Sequence, residues 1–296
     1  MLTPPTKVIL GTATPGGGFP LYGDAAAAAI NETDESLDVQ TRNTAGSSEN
    51  IRLLETGQLD LALVAGEPAY EAFAGIGRLR VDLKVIAAIY SSPGMFAVRG
   101  ASPARCVQDL VGKPIAWGTR ASGITLLGKY VMDGLGLNRD MDFEPRFLDK
   151  AGDGPTMVAE GLVAAQWGAG IGWPGFTAIT KAGGRLIGLS AAEVERVRAR
   201  HNFLTPITVP AGSYPGQNEA IQAVGSWSYI LARPTLEEDT AYRIAKALDQ
   251  GHDRLIDRVR QGTETRPENT FAAAPGQESI HRGVLRYLAE LGIAKQ

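Results

Sequence analysis

Residues Thr41–Ala72 read TRNTAGSSENIRLLETGQLDLALVAGEPAYEA, and this stretch decides the fold class. It contains the end of a strand, a Gly-Ser turn, a helix, a second strand and the start of a second helix. In open α/β sheets, ligands bind beyond the carboxyl ends of the strands, where helix N-termini gather. Nothing in the stretch has the pattern of a catalytic set. It predicts a place that holds a ligand.

The same alternation of strands and helices extends in both directions. Upstream, an apolar run over 8–10 precedes an Ala-rich helix over 24–30, and a second α/β cycle begins at 114–117. The other predicted elements are strands over 83–90 and 95–98, a helix over 157–165, a strand over 226–232 and helices from 237 onward. Crossings of the chain near 90–98 and 212–232 predict two α/β lobes. The first comprises residues 1–93 and 212–296, and the second comprises residues 94–211.

Composition excludes several classes of protein. The 296 residues are 44% hydrophobic and carry a net charge of −3, and no Lys/Arg cluster suggests a nucleic-acid partner. Cys106 is the single cysteine, which excludes an internal disulfide and a cysteine-rich metal site. No run approaches the roughly 18 apolar residues of a membrane span. We expect no cofactor, no resident metal and a monomer.

Two glycine-containing turns follow predicted strands and precede predicted helices. In the first, Gly17, Gly18 and Phe19 are candidate ligand contacts, since glycines let backbone N–H groups approach an anion. A merely tight turn is an equally good interpretation. In the second, Arg120 is a candidate to pair with a carboxylate, and a solvated surface arginine is the alternative.

The opening stretch supplies further candidates. Ser47 and Ser48 begin a helix, so one of them is expected to cap it while the other, with Thr44 and the free amides, binds a carboxylate. Glu67 with the following proline has the pattern of an N-cap and first turn. The alternative for Glu67 is a carboxylate that receives a ligand ammonium group.

Enzyme signals are weak. No Gly-x-Ser-x-Gly elbow, His-Glu-x-x-His motif or paired cysteine occurs, and the three histidines lie far from the glycine-rich turns. A serine without a placed base is not a credible nucleophile. We therefore expect a non-enzyme.

Five separated motifs match one family pattern in order, over roughly residues 8 to 220. The matching residues include Gly11-Thr12, Gly16-Gly17, Thr44, Gly46-Ser47, Glu49-Asn50, Asp109-Leu110, Gly112-Lys113, Ser122-Gly123 and Tyr214-Pro215-Gly216-Gln217. In these motifs the chain resembles the TAXI family of substrate-binding proteins of TRAP transporters. The resemblance implies a two-lobed periplasmic-binding-protein type II architecture, with a ligand cleft between two α/β domains joined by two crossover strands.

The departures from the family pattern fall at the expected ligand contacts. Gly18-Phe19-Pro20 stands where the family has Thr-Tyr-Tyr, and Ala65-Gly66-Glu67 stands where it has Gln-x-Asp. Because hydrogen-bonding groups are replaced by apolar ones, we expect a less polar or aromatic carboxylate to be a candidate ligand.

The resulting expectation is a periplasmic protein that captures a small organic acid or amino acid by hinge closure and delivers it to a TRAP permease. The signal peptide is then taken to be missing from this sequence, since residues 1–7 contain no apolar signal core. Helix N-termini, Ser47 and Ser122 are expected to hold the carboxylate, and Phe19 and Trp173 to wall the apolar part. Trp173 has the alternative of a packed loop aromatic. The expected ligand contacts are Gly17, Gly18, Phe19, Thr44, Gly46, Ser47, Ser48, Glu67, Arg120, Ser122, Gly123 and Trp173. The alternative function is a ligand-sensing module of the same fold that regulates a partner protein.

Overall fold

A computed structural model describes residues 4–295 of the chain. The strands are β1 (Thr6–Gly11), β2 (Leu37–Arg42), β3 (Leu61–Val64), β4 (Lys84–Val98), β5 (Pro114–Ala116), β6 (Glu144–Arg146), β7 (Ala165–Ala169), β8 (Arg185–Ile187), β9 (Thr205–Val209) and β10 (Ile221–Ala232). The helices are α1 (Gly18–Thr33), α2 (Ser47–Glu55), α3 (Gly66–Ala74), α4 (Gly123–Gly134), α5 (Gly154–Glu160), α6 (Pro174–Lys181), α7 (Ala191–Arg200), α8 (Glu238–Gln250), α9 (His252–Arg258), α10 (Pro267–Ala273) and α11 (Arg282–Glu290). Within 4–295, no helix combines the length and the hydropathy of a membrane span.

The described chain divides into two compact units. The first unit comprises residues 4–13, Phe19–Tyr90 and 227–295, and the second comprises Thr14–Gly18 and Ser91–Ser226. We predicted residues 212–226 for the first lobe, but β10 pairs over Ile221–Gly225 with β9, which holds this segment in the second unit. The outer ends of the predicted first lobe, residues 1–3 and 296, lie outside the described residues.

The first unit is built on a mostly parallel sheet with both faces covered. β1 pairs in parallel with β2 and β3, and β10 adds to β3 in the antiparallel direction. Alternation along β3 assigns Leu61 and Leu63 to one apolar core and Ala62 and Val64 to the other. The first core includes residues of α1, α8 and α11, and the second includes residues of α2 and α3. A strand buried on both faces has the continuous apolar sequence that β3 shows.

The second unit repeats this scheme. β5 pairs in parallel with β6 and β7, while β4 runs antiparallel to β7. On one face, Phe96 packs edge to face on Trp117 and Trp167, with ring centroids 5.5 and 4.8 Å apart, and the two indole rings are tilted at 5.8 Å. The other face carries a second apolar core that includes Ala97, Ala116 and Trp173.

Two sequence expectations about single elements are wrong, and one strand was not expected. The Ser-Ser-Pro-Gly segment over 91–94 does not separate two strands, because β4 continues through it as one strand of 15 residues. The helix expected over 157–165 ends at Glu160, and the strand β7 begins at Ala165. β9 was not predicted at all, since its sequence TPITV contains a proline and lies exposed over most of its length.

Candidate functional site

In the first unit, the carboxyl ends of β1 and β3 are tied to α2 by one buried side chain. Asn50 is 0% exposed, and its Nδ2 donates to the carbonyl oxygens of Thr12 and Leu63, each at 2.8 Å. Thr12, also fully buried, donates through Oγ1 to Asn43 Oδ1 at 3.2 Å. This network fixes the turns after β1 and β2 relative to the sheet.

Helix α2 is capped by neither of its two serines. Its N-cap is Gly46, whose φ of 126° is a conformation that a side chain disfavours, and no side chain bonds the first N–H groups. Ser47 is buried, and its Oγ accepts a hydrogen bond from the backbone N–H of Ala65 at 3.1 Å. Ser48 is exposed on the first turn. The capping expectation is therefore wrong, because the serine hydroxyl instead joins the start of α2 to the turn that precedes α3.

The hydroxyl of Thr44 stabilises the turn before α2 at the same edge of the sheet. Its Oγ1 donates to the carbonyl of Thr12 and accepts from the N–H of Gly46, both at 3.2 Å. Its hydroxyl therefore braces the turn that presents the N-terminus of α2.

Glu67 lies inside a helix rather than at its cap. The N-cap of α3 is Ala65, so Glu67 occupies the second helical position, which overturns the capping interpretation. Its side chain is 1% exposed. Burial, and secondarily the charge of Glu67, raise the pKa of the Tyr229 hydroxyl above its ordinary value. The carboxylate is thus held in the interior close to a strand β10 tyrosine.

The first glycine turn divides between the units. Gly17 and Gly18 belong to the segment that groups with the second unit, and Gly18 is buried at the start of α1. Phe19 is half-buried and packs against the first unit's core, 6.3 Å from the ring of Tyr90.

In the second unit, Ser122 caps α4. Its Oγ accepts from the N–H of Ile124 at 3.2 Å, and Gly123 follows as a buried first helical residue. A hydroxyl that accepts one hydrogen bond keeps its own O–H for donation. The half-buried Ser122 can therefore cap the helix and still donate to an anion.

Arg120 is an exposed cation held by an aromatic ring. Its guanidinium carbon lies 4.0 Å from the centroid of Phe147, and it makes no hydrogen bond or ion pair with any residue of 4–295. Arg139 lies over the same ring at 5.3 Å, but its guanidinium is occupied by Asp140 and by the carbonyl of Thr125. Stacking on a ring leaves the planar fork of N–H donors of Arg120 available for a carboxylate.

Trp173 is a core residue and offers almost no surface. It is 3% exposed and packs on Phe176 with ring centroids 4.9 Å apart. Its Nε1 has no hydrogen-bond partner among the described residues. Of the two interpretations of Trp173 given above, the packed loop aromatic describes its position.

Gln166 is a polar residue that sequence reasoning missed. It is 0% exposed in β7, and neither polar atom of its side chain finds a partner within the described chain. A lone glutamine inside the apolar run Val163–Trp167 was the available signal. Across residues 4–295, no group of three or more His, Cys, Asp or Glu side chains has the arrangement of a metal site.

Comparison with solved structures identifies the fold. The periplasmic aliphatic sulphonate binding protein SsuA of Escherichia coli is 16% identical, with a TM-score of 0.54, over 96% of this chain and 83% of that one. The PhnD1 protein of Prochlorococcus marinus, solved with methylphosphonate, is 13% identical, with a TM-score of 0.57, over 97% of this chain and 99% of that one. A putative L-cystine ABC transporter protein of Listeria monocytogenes is 12% identical, with a TM-score of 0.55, over 88% and 98%. The chain therefore has the α/β fold of periplasmic binding proteins, in agreement with the expected two-lobed type II architecture.

A family model covers nearly the whole sequence. It matches residues 10–292, which include every candidate residue described above. The chain belongs to the NMT1-like family.

Proposed function

We propose that this protein is a periplasmic solute-binding protein that captures a small organic acid or amino acid through its carboxylate and delivers it to a TRAP-type permease. Family membership and the shared fold support the solute-binding role. The TRAP partner rests on the resemblance to the TAXI family. The role is binding without catalysis, and hinge closure on the ligand is part of the proposal.

The main support for an anionic ligand is the environment of the Arg120 guanidinium. An arginine whose guanidinium is stacked on Phe147 and lacks a carboxylate among the described residues is preorganised for an acid. Two of the similar proteins, one that binds aliphatic sulphonate and one solved with methylphosphonate, also concern anionic headgroups. Arg120 with the hydroxyl of Ser122 then forms one donor set for the acid.

The first unit offers a second donor set. The N-terminus of α2 has no side-chain cap, and the exposed hydroxyl of Ser48 stands on its first turn. Backbone N–H groups at a helix N-terminus favour negative charge. Gly46 keeps the backbone in the conformation that presents these N–H groups to an anion.

The test is calorimetric titration of the purified protein with glutamate, succinate, phenylacetate and methylphosphonate. We expect at least one carboxylate to bind the wild-type protein. Replacement Arg120→Gln should weaken it by about tenfold to a hundredfold, the worth of hydrogen bonds to a charged group. Arg120→Lys keeps the charge without the planar fork and should recover only part of the affinity.

The matched control is Arg139→Gln. Arg139 contacts the same ring, but its donors are already used, so this change should leave affinity unaltered. Equal losses in the Arg120 and Arg139 variants would show that Phe147 or the local fold matters, and not the free guanidinium. Tight binding of methylphosphonate with no carboxylate binding would replace the carboxylate assignment by a phosphonate one.

A further inference from the structure

Gln166 is a fully buried carboxamide without a partner. It is the second residue of β7, and both Nε2 and Oε1 are unbonded within the part of the chain that the structure describes. Buried side-chain amides are nearly always hydrogen-bonded, because an unpaired one loses its bonds to water without replacement. Methionine would fill the same volume without this cost. The unpaired amide of Gln166 therefore has two donor hydrogens and an acceptor oxygen free for a group outside the described chain.

The described neighbours of the amide pack closely on it and offer it no hydrogen bonds. Ala97 of β4 and Ala116 of β5 lie opposite Gln166 in the sheet register, and both belong to an apolar core. Above it lies Gly154, where a Cβ atom would come within 2.1 Å of Nε2 and 2.4 Å of the carboxamide carbon. Two methyl groups and a glycine thus surround a side chain with two donor hydrogens and one acceptor oxygen.

A second unpaired donor lies on the same face of β7. A Cβ atom built on Gly168 would lie 2.4 Å from the ring of Trp173, so this ring covers the Gly168 position. Positions 166 and 168 point to one side of the strand, about 7 Å apart. The Nε1 of Trp173 is also buried and unpartnered within residues 4–295.

We propose that Gln166 recognises a neutral hydrogen-bonding group of the ligand, either a hydroxyl or a carboxamide. This inference rests on the proposed solute-binding function and names the ligand class as an organic acid that carries such a group. A hydroxyl or carboxamide both donates and accepts, so it satisfies Oε1 and Nε2 together. A carboxylate would leave Oε1 facing negative charge, and an ammonium would leave the Nε2 hydrogens facing positive charge.

The experiment compares acids of equal length that differ at the far end. Valerate, delta-hydroxyvalerate, glutaramate and glutarate, and the corresponding butyrate, gamma-hydroxybutyrate, succinamate and succinate, are titrated calorimetrically into the full-length protein. We expect the hydroxy or carboxamide acid to bind about tenfold or more tighter than the alkyl and dicarboxylic acids of the same length. Gln166→Met should reduce that ratio to about one while keeping the affinity of the alkyl acid within about twofold.

Gln261 provides the matched control. It is a buried glutamine of the first unit, 7% exposed, and its two polar atoms are likewise unpartnered among the described residues. Gln261→Met should leave the ratio unchanged. Thermal unfolding without ligand completes the comparison, and neither methionine variant should unfold at a lower temperature than the wild-type protein.

The outcomes separate the two proposals. If acids bind without preference for a neutral end group, or if the preference survives Gln166→Met, this inference is overturned and the solute-binding proposal stands. If Gln166→Met lowers the unfolding temperature and leaves the ratio unchanged, a buried water serves the amide and the inference is overturned. If no acid of either series binds but glutamate or phenylacetate does, only this inference is overturned, and if none of these acids binds, both proposals fall.

Discussion

Replacement of Asn50 tests the hydrogen bonds that join α2 to the carboxyl ends of β1 and β3 in the first unit. The Nδ2 group donates two hydrogen bonds of 2.8 Å, to the carbonyls of Thr12 and Leu63, in a site with no exposure. Asn50→Asp is nearly isosteric, but an ionised carboxylate would place negative charge against two carbonyl oxygens. The aspartate must therefore be protonated to fold, which raises its pKa in the folded state.

The size of the effect follows from these contacts. Loss of one of two hydrogen bonds costs about 0.5–1.5 kcal/mol at low pH, where the acid is neutral and its O–H replaces one donor. Full burial raises carboxyl pKa values by up to about 3–5 units, and each unit is worth about 1.4 kcal/mol. Because the folded-state pKa is raised, stability is retained below the unfolded pKa of about 4 and is lost as the pH rises toward the folded value. We expect the variant to lose about 3 kcal/mol or more, relative to the wild-type protein, between pH 4 and pH 7.

The assay is urea unfolding of both proteins at several pH values, followed by circular dichroism. Asn43→Asp is the control, because Asn43 is exposed at the same edge and its Oδ1 already acts as an acceptor from Thr12. Asn43→Asp should show no pH-dependent loss relative to the wild-type protein. Equal stability of Asn50→Asp at both pH values would refute the assigned orientation of the amide and the bracing role of this residue.

Two further predictions concern the C-terminal helices. Gly283→Ala should destabilise the protein by about 1–3 kcal/mol in the same unfolding assay, since its Cβ would lie 2.0 Å from the carbonyl oxygen of Glu238, and unchanged stability would contradict the close packing of α8 and α11. His281 is buried and accepts the N–H of Gly283 through Nδ1, and desolvation lowers its pKa below the ordinary value. With the folded pKa lowered, stability is lost as the pH falls below about 6.5, where the unfolded histidine gains its proton first. His281→Asn keeps a cap acceptor and should lose this part of the pH dependence, and an unaltered pH profile would contradict it.

The architecture was largely readable from the sequence because its signals are local. The apolar runs of β1 and β3, the helix signals of α1 and α2 and the glycine turns each depend on a few neighbouring residues. The single strand β4 and the strand β7 were misread for a different reason. Pro93 and Gly94 normally interrupt a strand, and Ala-Ala-Gln-Trp has no strand pattern, so tertiary pairing overrides local preference in both places.

The roles of single side chains were harder to predict from the sequence than the helices and strands. Ser47 and Ser122 have the same local sequence signal, a serine before a helix, yet only Ser122 is a cap. Ser47 instead bonds Ala65, a partner 18 residues away that no local pattern identifies. Gln166 was not predicted, because the sequence does not show that the residues opposite it on β4 and β5 offer its amide no hydrogen bond.

The discontinuity of the first unit reverses the usual order of folding during synthesis. Residues 91–226 form nearly all of the second unit from one continuous segment, so this unit has most of its chain once residue 226 has left the ribosome. The first unit must wait for β10 and the helices after it, and until then β3, buried along its whole length in the final fold, has an unpaired apolar edge. Unpaired edges of this kind attract other strands. A nascent chain of this protein therefore depends most on chaperone protection at its beginning, although its beginning is made first.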